Sequence, residues 1–139
     1  IKLFKNGTWF PVKDLGSFDK DGYYFHHGRA DDVIISAGWT MSAVEIEDVL
    51  LKHQAVEEVA VIGVPEQERG QIVKAFVITK SDEKNALAKE LQIFTRERLS
   101  LHEYPRIIEF VETLPKTPAG KVNRKALRES ASKDNERDL

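Results

Sequence analysis

Residues 72–79 read IVKAFVIT, and in these eight positions Lys74 is the one charge. β-branched and aromatic residues on both alternating faces describe a strand buried from two sides, which belongs in the middle of a sheet. Working outward, Val56 to Val64 predicts a second strand, ended by Pro65, and Arg106 to Val111 a third. Ser42-Ala43-Val44-Glu45 fits a capping box, in which the serine oxygen accepts from the third helical amide and the glutamate reaches back. The helix that follows places Ile46, Val49, Leu50 and His53 on one face. Asn85 to Leu99 predicts a second helix with Leu87, Leu91, Phe94 and Leu99 inward, and Asn123 to Arg128 a short third.

Toward the amino terminus, Trp9 to Phe18 and Tyr23 to His27 flank Asp19-Lys20-Asp21-Gly22, a hairpin signal. Gly28 to Asp32 is a charged connector, and Ser36-Ala37-Gly38 between two apolar runs predicts a second tight hairpin. The class is therefore α+β: a small, mainly three-stranded sheet with packed helices, preceded by β-hairpins. The chain opens Ile-Lys-Leu-Phe with no initiator methionine, which reads as a piece of a longer protein. Residues 130–139 are polar and charged and are expected to fray.

The chain has 139 residues, a net charge of −2, and 41% hydrophobic and 32% charged residues. That composition is globular, and the charge argues against a general nucleic-acid or anionic-membrane binder. No apolar run approaches the ~18 residues of a membrane span. The absence of cysteine excludes disulfides and thiolate metal sites, and a cytoplasmic location is expected.

The chemistry concentrates in Pro115-Lys116-Thr117-Pro118-Ala119-Gly120-Lys121. Two prolines and a glycine make this a turn. From Lys116 to Arg128 there are five basic residues and no acidic one. A phosphate-binding P-loop is rejected, because Pro115 stands where its first glycine belongs and Val122 where its Ser or Thr belongs. On local pattern alone the segment reads as a solvated basic turn. Asp31 and Asp32 are adjacent and so point to opposite faces of an extended chain, which disfavours a shared metal ion. Their place between the first hairpin and the rest suits a hinge. His26 and His27 lack a third ligand at zinc spacing, His53 reads as a satisfied, partly buried histidine, and Trp9 and Trp39 as packing or interface residues.

Taken in order, these segments resemble the carboxy-terminal domain of the adenylate-forming (AMP-binding) enzyme superfamily, acetyl- to medium-chain acyl-CoA synthetases above all. Three motifs carry the match: Asp14-Leu15-Gly16 with Asp19 to Arg29; Gly28-Arg29-Ala30-Asp31-Asp32-Val33-Ile34 with Gly38; and Pro115 to Lys121 with Arg124. Thr40 and Pro11-Val12-Lys13 depart from the family pattern. The resemblance implies a two-step reaction in which a carboxylate and ATP give an acyl-adenylate and a thiol then displaces AMP. It implies Lys121 as the catalytic lysine of the first step, Asp14 and Arg29 as nucleotide contacts, Asp31 as the hinge and Gly38 as lining the pantetheine route. Arg106, after Pro105, reads equally as a contact to a CoA phosphate or as part of a surface salt bridge. ATP, Mg2+ and coenzyme A would be held mainly with an amino-terminal large domain, the partner of this lid, together with a carboxylic acid substrate. Residues 1–30 would end the large-domain segment and lead in, 31–129 would be the mobile lid, and 130–139 its tail. A peptide-synthetase adenylation domain, or a non-catalytic module that binds a phosphorylated partner through residues 116–128, are the alternatives.

Overall fold

A computed structural model describes residues 14–18, 20–21, 24–29 and 32–137. Trp9 and Asp31 lie outside them. The order is β1 (Asp14–Phe18), β2 (Tyr24–Arg29), β3 (Val33–Ser36), β4 (Trp39–Ser42), α1 (Ala43–Leu51), β5 (Glu58–Glu66), β6 (Gly70–Ile78), α2 (Lys84–Arg98), β7 (Ile107–Phe110) and α3 (Arg124–Arg137). Strands β1–β2 and β3–β4 form two antiparallel hairpins, and β5-β6-β7 a mixed sheet with β6 central. β5 pairs antiparallel to β6, and β7 pairs parallel to it after the α2 crossover.

The period-two alternation of β5 and β6 divides the interior into two layers. Val59, Val61, Val73, Ala75 and Val77 face α1, α2 and the β3–β4 hairpin, packing with Ile34, Met41, Ile46, Leu50, Leu87 and Leu91. Ala60, Ile62, Val64 and Phe76 face the other way, against Leu114, Leu127 and Ala131. A sheet covered on both faces explains why its strands read as continuous apolar runs. The sole charge of the central strand, Lys74, reaches Glu109 of β7 at 2.8 Å and lies over the Phe76 ring.

Local signals hold where they are strong. Ser42 caps α1 by accepting from the Glu45 amide at 3.4 Å, and Ile46, Val49, Leu50 and His53 are all buried. His53 is satisfied at both ring nitrogens, with Nε2 3.0 Å from Glu90 and Nδ1 accepting from the Ala55 amide. The Ala37-Gly38 turn has positive φ at both residues, 50° and 83°, as a two-residue type I′ hairpin requires.

Three expectations change. β5 does not stop before Pro65 but pairs through it to Glu66. The Val61 amide points off the open edge of β5, to Glu47. Pro65 has the same parity, so its missing N–H lies on that edge and interrupts no ladder bond. The third helix extends from Arg124 to Arg137 rather than ending at Arg128, so residues 130–137 are helical instead of a frayed tail. Its cause is the second face of the sheet, which Leu127 and Ala131, one turn apart, cover. In α2 the inward stripe is Leu87, Leu91 and Thr95, whose hydroxyl donates to the Leu91 carbonyl at 2.7 Å. Phe94 lies at the rim, edge-on to His53.

Leu91 is fully buried between α2 and the sheet. Leu91→Ala is expected to destabilise the chain by about 2–5 kcal/mol, through lost burial and a residual cavity. Chemical denaturation checks this, and a loss below that range would mean the layer collapses freely around the gap.

Candidate functional site

The lysine loop is a small closed hairpin built around Thr117. The Thr117 amide donates to the Lys121 carbonyl (2.7 Å), its carbonyl accepts from the Gly120 amide (2.9 Å), and its hydroxyl accepts from the Lys121 amide (3.3 Å). Lys116 and Val122 form an antiparallel bridge below, and the Asn123 amide donates to the Pro115 carbonyl at 2.8 Å. Gly120 takes φ +82°, which a side chain would strain. Leu114, buried, anchors one stem. The Asn123 side chain forms the other by capping α3 through the Ala126 amide at 3.1 Å.

This scaffold separates three of the five cations. Lys116 is tied to Glu58 at the start of β5, 3.1 Å away. Arg124 is clamped by Glu47 through Nε (3.0 Å) and Nη2, and its Nη1 lies 3.4 Å from Asp32. Glu47 also accepts from the Val61 amide at 2.8 Å. Burial works against the Arg124 charge, yet the hydrogen bond to Glu47 and the fields of Glu47 and Asp32 raise its pKa above the usual arginine value. Lys121, by contrast, is exposed, and among the described residues its ammonium has no ion-pair partner.

The other expected positions fall elsewhere. Asp14 and Arg29 are register partners across the β1–β2 ladder, so the chain brings these two together. Gly38 sits in the β3–β4 turn, which is tied to the far end of the β5–β6 hairpin by Ala37 N–H donating to the Arg69 carbonyl (2.9 Å). Lys121 and Gly38 are thus at opposite ends of nine-residue β5, roughly 25 Å apart along the strand. Next to Gly38, half-exposed Trp39 stacks on His102 with ring centroids 4.6 Å apart.

Arg106 lies in neither place. It lines a groove of about 340 Å³ with Lys89, Gln92, Ile93, Arg96 and Tyr104. The Tyr104 ring has both Arg96 and Arg106 guanidinium carbons 5.1 Å from its centre. Gln92 pins the loop by donating to the Pro105 and Arg106 carbonyls.

Sequence reasoning missed Glu47, Arg96 and Tyr104. Glu47 carried a readable signal, because it follows Ile46 on a helix whose inward face it shares. A carboxylate there needs a cation.

The profile of the AMP-binding enzyme C-terminal domain matches residues 45–121. Over 127 residues the chain is 44% identical to acyl-coenzyme A synthetase ACSM4, mitochondrial, of Homo sapiens, covering 88% of this chain and 22% of that protein. It is 43% identical over 130 residues to the uncharacterized acyl–CoA ligase YtcI of Bacillus subtilis (strain 168), covering 92% and 25%. The crystal structure of a Brucella canis acyl-CoA synthetase superposes with a TM-score of 0.74 at 44% identity, covering 94% of this chain and 24% of that one. The chain thus spans about a fifth to a quarter of the length of these relatives.

Arg124→Met removes one cation from two carboxylates whose side chains are only 10% and 14% exposed. It is expected to cost about 3 kcal/mol, the penalty of an uncompensated buried charge. Adding Glu47→Gln to Arg124→Met should recover part of that loss, and melts of both variants check it. Equal stability of Arg124→Met and the parent would show the clamp to be neutral.

Proposed function

Because the chain belongs to the AMP-binding enzyme C-terminal domain family, we propose that it serves as the mobile lid of an AMP-forming acyl-CoA synthetase, of the acetate to medium-chain kind. The observation that carries this reading is the free ammonium of Lys121, held on a rigid loop whose two stem cations, Lys116 and Arg124, are tied down. Adenylation joins two anions that repel each other, a carboxylate and the α-phosphate of ATP. A preorganised cation aimed at the charge developing between them stabilises the transition state without reorganisation. Lys121 acts in that step alone. In the thiol step the domain presents its opposite end, where Gly38 offers bare backbone for the pantetheine arm to pass.

Asp14 and Arg29 bind the nucleotide from facing ladder positions, and Asp31 is the hinge. Two carboxylates near the lysine loop, Glu47 and Glu58, are engaged by Arg124 and Lys116. Mg2+ would accordingly be held with ATP and the carboxylic acid on the large domain. The cationic groove at Arg106 and Arg96 suits a phosphate of coenzyme A, with the Tyr104 ring in cation–π range of both guanidinium groups.

A non-catalytic phosphate-binding module is disfavoured by the same sorting of charge, since Lys116 and Arg124 are spent on internal carboxylates. A peptide-synthetase adenylation domain is disfavoured by the relatives, which are acyl-CoA synthetases by name. No helix among the described residues is long and apolar enough to cross a membrane. The cysteine-free composition is compatible with the cytoplasmic setting proposed here, and the human relative is described as mitochondrial.

In the full-length enzyme, Lys121→Ala is expected to slow adenylation by roughly 10²-fold or more, as loss of a single transition-state donor does elsewhere. Thioester formation from supplied acyl-adenylate should be retained. Pyrophosphate exchange and single-turnover thiolysis separate the two, and equal loss in both steps would remove Lys121 from its assigned role. Arg106→Ala should raise the KM for coenzyme A about tenfold, the low end of a hydrogen bond to a charged group, with adenylation unchanged. An unaltered KM at low salt would show the groove to be idle.

A further inference from the structure

Asp32 stands one residue beyond the expected hinge, yet it is not free to follow a hinge motion. Its carboxylate lies 3.4 Å from Arg124 Nη1, and the two side chains are only 14% and 18% exposed. The remaining face of the guanidinium is held by Glu47, which is itself bonded to the Val61 amide of β5. The next residue, Val33, already belongs to β3, and Ile34 is in the core. On the other side of Arg124, the chain runs through capping residue Asn123 and bridged Val122 directly into Lys121. One guanidinium therefore grips the chain where it enters the lid and where the lysine loop leaves it.

We propose, resting on the lid reading above, that Asp32 is a positioning residue: the fixed end of the hinge, coupled through Arg124 to the Lys121 loop. Rotation at residue 32 would pull a largely buried carboxylate from its cation, which is strongly unfavourable. Interdomain rotation is thereby confined to residues before Asp32. Lys121 then turns with the pivot as one rigid body, and its placement does not depend on slack in the connector. Neutralising Asp32 adds slack at the pivot end of the lever, where a small angular error becomes a large displacement of the lysine.

The test uses the full-length enzyme, with Lys133→Cys carrying one spin label and a second label on the large domain. This chain has no cysteine of its own, and Lys133 is exposed. Asp32→Asn is expected to broaden the interdomain distance distribution. It should also lower kcat for pyrophosphate exchange by roughly 10- to 100-fold, the scale of an ångström-level misplacement, while leaving the KM for ATP unchanged. Asp32→Glu, which keeps the charge, should restore narrow distances and most of the rate. A purely structural role would lower the melting temperature without changing the distance widths. Widths in Asp32→Asn equal to those of the parent, or equally broad in Asp32→Glu, would overturn the proposal. Should Asp32→Asn fail to fold, Arg124→Lys, which keeps the cation but loses the fork spanning Asp32 and Glu47, is read in the same way. If Lys121→Ala spares adenylation while Asp32→Asn still broadens the distances, the catalytic assignment falls and the hinge anchor stands.

Discussion

The apolar character of both faces of β5 and β6 is the constraint from which the rest of the architecture follows. One face is covered by α1, α2 and the β3–β4 hairpin, all of which are in place by the end of β7. The opposite face, with Ala60, Ile62, Val64 and Phe76, would then lie open to water. The segment after β7 closes it: the chain crosses to the other layer and returns as α3. The lysine loop is that crossing. Its position at the Glu58 end of β5 is set by the core it connects, before any requirement of catalysis is considered.

Crossing between layers also explains why the charges are arranged as they are. The start of α3 meets α1 and β5 at a junction where the helix must pass over backbone that has no strand partner. Glu47 satisfies the edge amide of Val61, and Arg124 neutralises Glu47 and Asp32. A cation buried among carboxylates contributes little net stability against an apolar alternative, but it is specific in direction. It fixes how α3 enters, and the two residues between Arg124 and the loop inherit that orientation. Lys121 can then remain unpaired, because its neighbours supply the rigidity that a charged side chain would otherwise gain from a partner.

The sheet, α1, the β1–β2 pairing and the Ala37-Gly38 turn were legible because their signals are local. Ser42 announces its helix within three residues, Ala37-Gly38 its turn within two, and IVKAFVIT its central place by composition alone. The length of α3 was not legible, since Leu127 and Ala131 are its only buried apolar residues and the demand for it lies on β5 and β6. Pro65 misled for a related reason. Its tolerance depends on which side of the strand is open, a property of the sheet rather than of the residue. For the site, the turn and its lysines could be read, but not which lysine is free. Glu58 is 58 residues from Lys116, and Glu47 is 77 from Arg124. No local pattern carries that pairing.

The separation of Lys121 from Gly38 bears on the proposed lid role. The two positions are linked by the ladder of β5 and β6, which is continuous over nine register pairs, and by the packed layers on either side. Protein interiors at this density do not flex by many ångströms to bring distant edges together. Two edges roughly 25 Å apart on such a body cannot address one reaction centre at once, and the turn at Gly38 is itself tied to β6 through Arg69 and Gln71. If both positions act on the same substrate, they must do so in sequence, with the whole body turning between them. On the lid reading proposed above, alternation then follows from the stiffness of the sheet, and the Asp32–Arg124 contact marks the rigid side of the pivot.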